Sequence, residues 1–199
     1  MGTARANRGH TRDEVAHAAM RILDEYGLPD LTMRRLAAAL EVQPSALYWH
    51  FPNKQSLLAE LSDRIVTEVD SGSAERDWAS RVRAEACALR RALLAHRDGA
   101  ELVASTFALG LGSRAAHDRL AAAIGAGGFD DESVRRATSA LLHFVLGQVQ
   151  HEQQRQQYRQ LGVHGDPSPP LRQDDAPEAD FAFGVELLVE GLQSRRLGG

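Results

Sequence analysis

A single cysteine, Cys87, is all the thiol chemistry this chain holds. One thiol cannot build an internal disulfide framework, which removes the stapled secreted folds. Cys87 lies between Ala86 and Ala88 in a helical pattern and reads as a small buried residue. No apolar run approaches the ~18 residues that a membrane span requires. The arginines near the N-terminus have no apolar stretch behind them, unlike a secretory signal. Strand-like alternation and internal repeats are both missing. So are the P-loop, the dinucleotide fingerprint, the nucleophile elbow and the His-Glu-x-x-His run, which speaks against an enzyme. Net charge is only −4, which argues against a general nucleic-acid coat. What remains is 43% hydrophobic and 25% charged, the balance of an ordinary globular protein expected in the cytoplasm. Its 199 residues suffice for one domain or two small ones.

Helical periodicity runs almost throughout. Thr11 and Glu14 form a capping box, followed by Val15, Ala18, Ala19, Ile22 and Leu23 on one face; Gly27 and Pro29 stop that helix near Tyr26. Thr32 caps a second helix with Leu36, Ala37 and Leu40 inward. Pro44 suits the first turn of a third, which Pro52 ends after His50. Asn53 caps a fourth, with Leu57, Leu58, Leu61, Ile65 and Val69 in one stripe. A joint is expected at Ser71-Gly72-Ser73. Helices then follow over about 77–95, 100–107, 114–126, 131–158 and 180–194, separated by glycines and by a proline-rich loop at 162–179 that reads as mobile. The expected class is all-α, with nine or ten helices. A basic arm (1–10) would precede a three-helix unit (11–56) and a larger helical domain (57–199). The arm is either a phosphate-reaching segment or an unstructured tail.

The segment from Thr32 to Leu58 carries the function. Leu47 and Phe51 are four apart and should pack inward. Three adjacent aromatic rings cannot all do so. Ser45, Ala46, Tyr48, Trp49 and His50 therefore supply an outer face of hydroxyls, rings and a methyl. Such groups bond base edges or phosphates and touch the thymine methyl. Thr32, Arg34, Arg35, Gln43 and Lys54 flank this face, with at least one of the two arginines pointing outward. Double-stranded DNA is the expected partner.

Leu47-Tyr48-Trp49-His50-Phe51-x-Asn53-Lys54 with Leu57-Leu58 resembles the recognition helix and connecting helix of the tetracycline-repressor (TetR) family of regulators. Leu93-Leu94-x-His96-Arg97-Asp98-Gly99-Ala100, His143-Phe144-x-Leu146-Gly147 and Ala182-Phe183-Gly184-x-Glu186-Leu187 look like the tetracycline-repressor branch of that family. The resemblance covers about residues 11 to 194. It implies a homodimer on a palindromic operator, closed by a four-helix bundle from the last two long helices. The residues support this independently: Gly184 and Gly191 share a face, and Val134, Ala137, Leu141 and Val145 form a stripe. Phe181, Val185, Leu188 and Leu192 complete the expected interface.

The resemblance also implies a small-molecule pocket. Asp70, Glu85 and Leu120 match polar drug-contacting positions, Thr106 is retained, and Leu89 replaces an aromatic residue. Val103 stands where the branch has a metal-chelating histidine, and His151 where it has an acid on the long helix. Mg²⁺ needs oxygen ligands. The expected effector is therefore a small, largely apolar molecule and not a magnesium–tetracycline chelate, held by Leu89, Val103, Thr106, Phe107, Leu120 and Phe144. His117, His143 and His151 should lie near the pocket or interface. His143 and His151 are too far apart on one helix to share an ion unaided, so no metal and no cofactor are expected. The rival readings are an architectural DNA binder without effector and, more remotely, an enzyme using the cavity.

Overall fold

The computed structural model describes residues 10–67, 77–112, 114–162 and 176–197. The expected joint at 71–73, the basic arm up to residue 9 and most of the proline-rich loop lie outside them. The described residues form nine helices and no strand.

Local chemistry sets the helix starts. Thr11 accepts the Glu14 N–H at 3.2 Å, and Glu14 accepts the Thr11 N–H at 2.7 Å, opening α1 (Arg12–Tyr26). Gly27 ends it at φ +89°, where a side chain is strained. Thr32 accepts the Arg35 N–H at 3.1 Å to open α2 (Met33–Ala39). Pro44 begins α3 (Pro44–Leu47), a single turn. The helix is shorter than expected, because the N–H groups of His50 and Phe51 both converge on the Leu47 carbonyl. Asn53 Oδ1 accepts the Ser56 N–H at 2.8 Å to start α4 (Lys54–Thr67). Asp77 and Asp130 cap α5 (Trp78–Leu94) and α8 (Asp131–Gln160) in the same way. The bonds from Ser80 and Ser133 hold these two carboxyls below their ordinary pKa range. Between them lie α6 (Gly99–Ala108) and α7 (Ala115–Gly125). The last helix, α9 (Pro177–Leu197), begins three residues earlier than expected. Pro177 is its first residue, a place where the missing N–H costs nothing.

One apolar cluster runs through the molecule. It joins Val15, Ile22 and Leu36 to Leu57, Leu61 and Ile65 of α4, then to Leu89, Leu102, Leu120, Leu142, Val149 and Val185. Cys87 is only half-buried. α4 packs on α1 and also on α5, α6 and α7, so it links the first helices to the rest. α9 packs on α8 and α5.

The apolar stripe expected to face a partner mostly turns inward. Leu141, Val145, Phe181 and Val185 are at most 2% exposed within one chain. Val134, Ala137, Leu188 and Leu192 are half-buried against the same core. Gly184 is taken up by a contact within the chain: a Cβ there would overlap the Phe144 ring of α8, which also lies 5.7 Å from the Phe181 ring. Phe144 thus belongs to the α8–α9 contact and does not line the cavity around Thr106. Gly184→Ala gains up to about 1 kcal/mol of helix preference but forces the ring out of its seat, at about 1–3 kcal/mol. A net loss of about 1–2 kcal/mol is expected in denaturant titration. Unchanged stability would show that the ring relocates freely.

Candidate DNA-reading surface and ligand cavity

The Pro44–Leu47 turn is anchored from one side only. Leu47 and Phe51 are buried, while Gln43, Ser45, Ala46 and Tyr48 are exposed and Trp49 is 90% exposed. His50 and Lys54 are half-buried at the rim. A tryptophan so exposed next to a half-exposed tyrosine is unfavourable on a free surface and ordinary at a binding face. Arg34 points outward. Arg35 is tied within the module: it pairs with Asp30 at 3.1 Å and stacks 4.1 Å from the Tyr26 ring centre. The Thr32 oxygen serves as a helix cap and keeps its hydrogen for donation.

Charges that local sequence patterns do not announce brace this surface. Arg12 donates to Glu60 Oε2 at 2.8 Å and to the His50 carbonyl at 2.9 Å. Arg64 pairs with Glu60 at 3.1 Å and with Asp13 at 2.8 Å. Arg12 and then Arg64 hold the Glu60 carboxyl below its ordinary range, against the effect of burial. The i, i+4 spacing of Glu60 and Arg64 is visible in the sequence; Arg12 is 48 residues from Glu60 and carries no such signal.

A second joint binds α1 to the rest. Asp98, at φ +56°, accepts the Leu28 N–H at 2.8 Å and a bond from Gln157 of α8. Asp24 accepts from His96 at 3.1 Å and from the Arg97 N–H at 3.3 Å. Gln153 donates to the carbonyls of Leu93 and His96 and accepts the Ala100 N–H, fixing the α5–α6 turn.

Of the expected ligand residues, Val103, Thr106, Phe107 and His117 line one cavity between α4, α6, α7 and α8. Ser62, Val66, Leu142 and Leu146 line it too, and sequence reasoning missed them. Thr106 Oγ1 sits 3.0 Å from Ser62 Oγ, both buried. The space holds about 10 Å³, room for one water; a drug-sized guest requires the walls to move. The other expected residues fall elsewhere. Leu89 and Leu120 are in the core, 1% exposed, and do not line this space. Glu85 is buried against Arg119 at 3.2 Å. The Arg119 guanidinium also donates to the Val66 carbonyl at 2.7 Å, near the end of α4. His143 is exposed, with its ring 6.3 Å from that of Phe107, and exposed His151 borders a shallow cleft beside Glu152 and Arg155. Asp70 lies outside the described residues.

A largely apolar opening of about 400 Å³ is a groove between α5, α8 and α9. Ala137, Leu141, Leu188, Gly191 and Leu192 from the expected interface line it, with Leu187. Leu187 and Phe183 are 54% and 66% exposed on the same helix.

A one-turn recognition segment with its aromatic side chains outside, carried on a long helix into a helical domain with an apolar cavity, defines the class of helix-turn-helix regulators. Comparisons with known proteins make this specific. Residues 15–61 match the family of bacterial regulatory proteins called tetR, and residues 71–173 the tetracyclin repressor-like C-terminal domain. The chain is 34% identical to the class C tetracycline repressor of Escherichia coli, over 94% of this chain and 92% of that protein. Among solved structures, Mycobacterium smegmatis BioQ shares 39% identity at a TM-score of 0.83, over 93% and 98% of the two chains. A BioQ structure with its double-stranded DNA operator matches at 0.77, again at 39% identity, over 92% and 98%. A TetR variant from Acinetobacter baumannii in complex with minocycline matches at 0.74 and 30% identity, over 94% and 98%. The chain belongs to the TetR family of transcriptional regulators. None of the described helices is long and apolar enough to cross a membrane.

Proposed function

We propose that this protein is a homodimeric repressor that leaves its operator when a small, largely apolar effector enters the Thr106 cavity. The observation carrying the reading is the split in the recognition segment. Leu47 and Phe51 are sealed into the core while Tyr48 and Trp49 project from it. Ser45, Ala46, Tyr48, Trp49 and His50 read base edges and phosphates; Thr32, Arg34, Gln43 and Lys54 support them from the flanks. Two such surfaces engage half-sites roughly 34–36 Å apart, or a multiple. Residues 11–56 serve as the DNA-reading unit and residues 57–199 as the regulatory one, acting in the cytoplasm on chromosomal or plasmid DNA.

Release is a coupling between sites. α4 carries Ser62 and Val66 on the cavity wall and Lys54 beside the DNA face. An effector that fits only when these walls part weakens DNA binding by the same factor that DNA weakens effector binding. A factor of about 100 needs ~2.7 kcal/mol of differential binding.

Val103 argues for an effector unlike the chelate. The described residues of the cavity offer hydroxyls from Ser62 and Thr106 and a ring nitrogen from His117, but no carboxylate. Mg²⁺ seeks oxygen ligands, carboxylates foremost. Selection of an operator from random duplexes, followed by a screen for ligands that release it, tests the whole scheme. Micromolar magnesium–tetracycline is expected to leave the complex intact in a fluorescence anisotropy assay. Release at that concentration would overturn the effector assignment and leave the DNA reading standing.

A further inference from the structure

The recognition helix is a single turn, Pro44–Leu47. So short a helix has no cooperative stability of its own, and its place is fixed by what touches it. Leu47 and Phe51 hold its inner side. Beyond its end the His50 carbonyl has no helical partner, and such an acceptor must find one elsewhere. Arg12 of α1 donates Nη1 to it at 2.9 Å. The same guanidinium donates Nε and Nη2 to Glu60 of α4, at 3.2 and 2.8 Å, and lies 4.3 Å from the Phe51 ring centre. One planar fork thus touches α1, the recognition turn and α4 together. Glu60 is steadied from the other side by Arg64, which reaches Asp13.

We propose that Arg12 is a positioning residue for DNA reading: it pins the end of the recognition turn to α4 and so sets the angle at which Tyr48 and Trp49 meet the groove. This rests on the reading of the Tyr48 segment as the DNA surface. Arg12 acts on that surface through the His50 carbonyl, and its own side chain is 54% exposed. That exposure allows a competing role, direct binding of a phosphate, and the two roles have opposite signatures. A positioning arginine needs Glu60. A phosphate-binding arginine is hindered by it.

The test uses the full-length protein and a duplex that the wild type selects from random sequences, with affinity read by fluorescence anisotropy over a salt series. Arg12→Met is expected to weaken binding about tenfold or more, with Arg12→Lys intermediate, since lysine keeps the charge but lacks the fork. Glu60→Gln is expected to weaken binding as well, about threefold or more. The dependence of log affinity on log salt should keep its slope. Unchanged affinity in Arg12→Met overturns the proposal. So does tighter binding in Glu60→Gln, or a salt slope shallower by about 0.9 for each phosphate no longer neutralised. If Arg12→Met melts below the assay temperature, Arg12→Lys and Glu60→Gln decide by the same signs. A wild type that selects no duplex defeats the DNA reading itself, a result distinct from any of these.

Discussion

Tyr48→Ala is expected to remove operator binding while leaving the protein folded and paired. The side chain is half exposed, so its loss opens no core cavity; the neighbours that hold the turn, Leu47 and Phe51, are untouched. What disappears is a ring and a hydroxyl at the groove. Interactions of this kind contribute about 1–3 kcal/mol each. A two-fold symmetric protein makes every one of them twice, so the loss is about 2–6 kcal/mol, or roughly 30-fold to more than 10⁴-fold. Gel shift against the selected duplex reads the affinity. Sedimentation and thermal unfolding should stay at wild-type values. An unaltered gel shift would contradict the assignment of the recognition surface. A lowered melting point together with abolished binding would instead make Tyr48 a structural residue, which its exposure argues against.

The residues legible in the sequence are those whose physics is local. Caps at Thr11, Thr32 and Asn53 are written in three- or four-residue patterns, and each makes its bond. The inward pair Leu47 and Phe51 follows from spacing alone. Pro177 shows the limit of such rules: proline ends helices and also begins them, and among three neighbouring prolines it reads as loop. Pairing across long stretches of chain leaves no trace in the pattern. Arg83 and Glu186 lie 2.6 Å apart although 103 positions separate them in the sequence, and Arg90 reaches Glu152 across a separation of 62. The Arg83 side chain holds the Glu186 carboxyl below its usual range and is itself pushed up by it. Nothing in the local sequence of α5 or α9 announces that bond. The ligand cavity is half legible for the same reason. Thr106 and Val103 come from resemblance, whereas Ser62 enters only because α4 lies against α6.

Apolar stripes pose a different difficulty. A helix such as α8 carries apolar residues toward its own core and toward a partner, and hydropathy has one sign for both. The helical spacing of Leu141 and Val145 suits an interface, yet Val145 is sealed inside the chain and Leu141, 2% exposed, only floors the groove beside α9. Exposure in the folded chain separates the two cases. Phe183 and Leu187 stand out in the sequence only as part of a family-like motif, and among the described side chains of α9 they are the large apolar ones left outside.

Leu187→Glu is accordingly expected to split the dimer. Leu187 borders the groove between α5, α8 and α9, and Phe183 one turn before it extends the same apolar strip. Large apolar side chains gathered on one face mark an association surface. In a two-fold interface each substitution appears twice, which moves two carboxylates into an apolar groove that Arg136 and Arg195 also line. With those guanidiniums offsetting part of the burial cost, about 1–2 kcal/mol remains per carboxylate, so the pair costs about 2–4 kcal/mol, roughly thirtyfold to a thousandfold in dimer affinity. Because Leu187 is exposed within its own chain, the monomer should keep its helical circular dichroism. Operator binding should nevertheless disappear, since a lone subunit grips only one half-site. The Tyr48 surface would be intact in this variant, so the failure to bind here and in Tyr48→Ala would have separate causes. Sedimentation velocity distinguishes them: Tyr48→Ala should travel as a dimer and Leu187→Glu as a monomer. A Leu187→Glu protein that still sediments as a dimer would place the subunit interface on another face of α8 or α9.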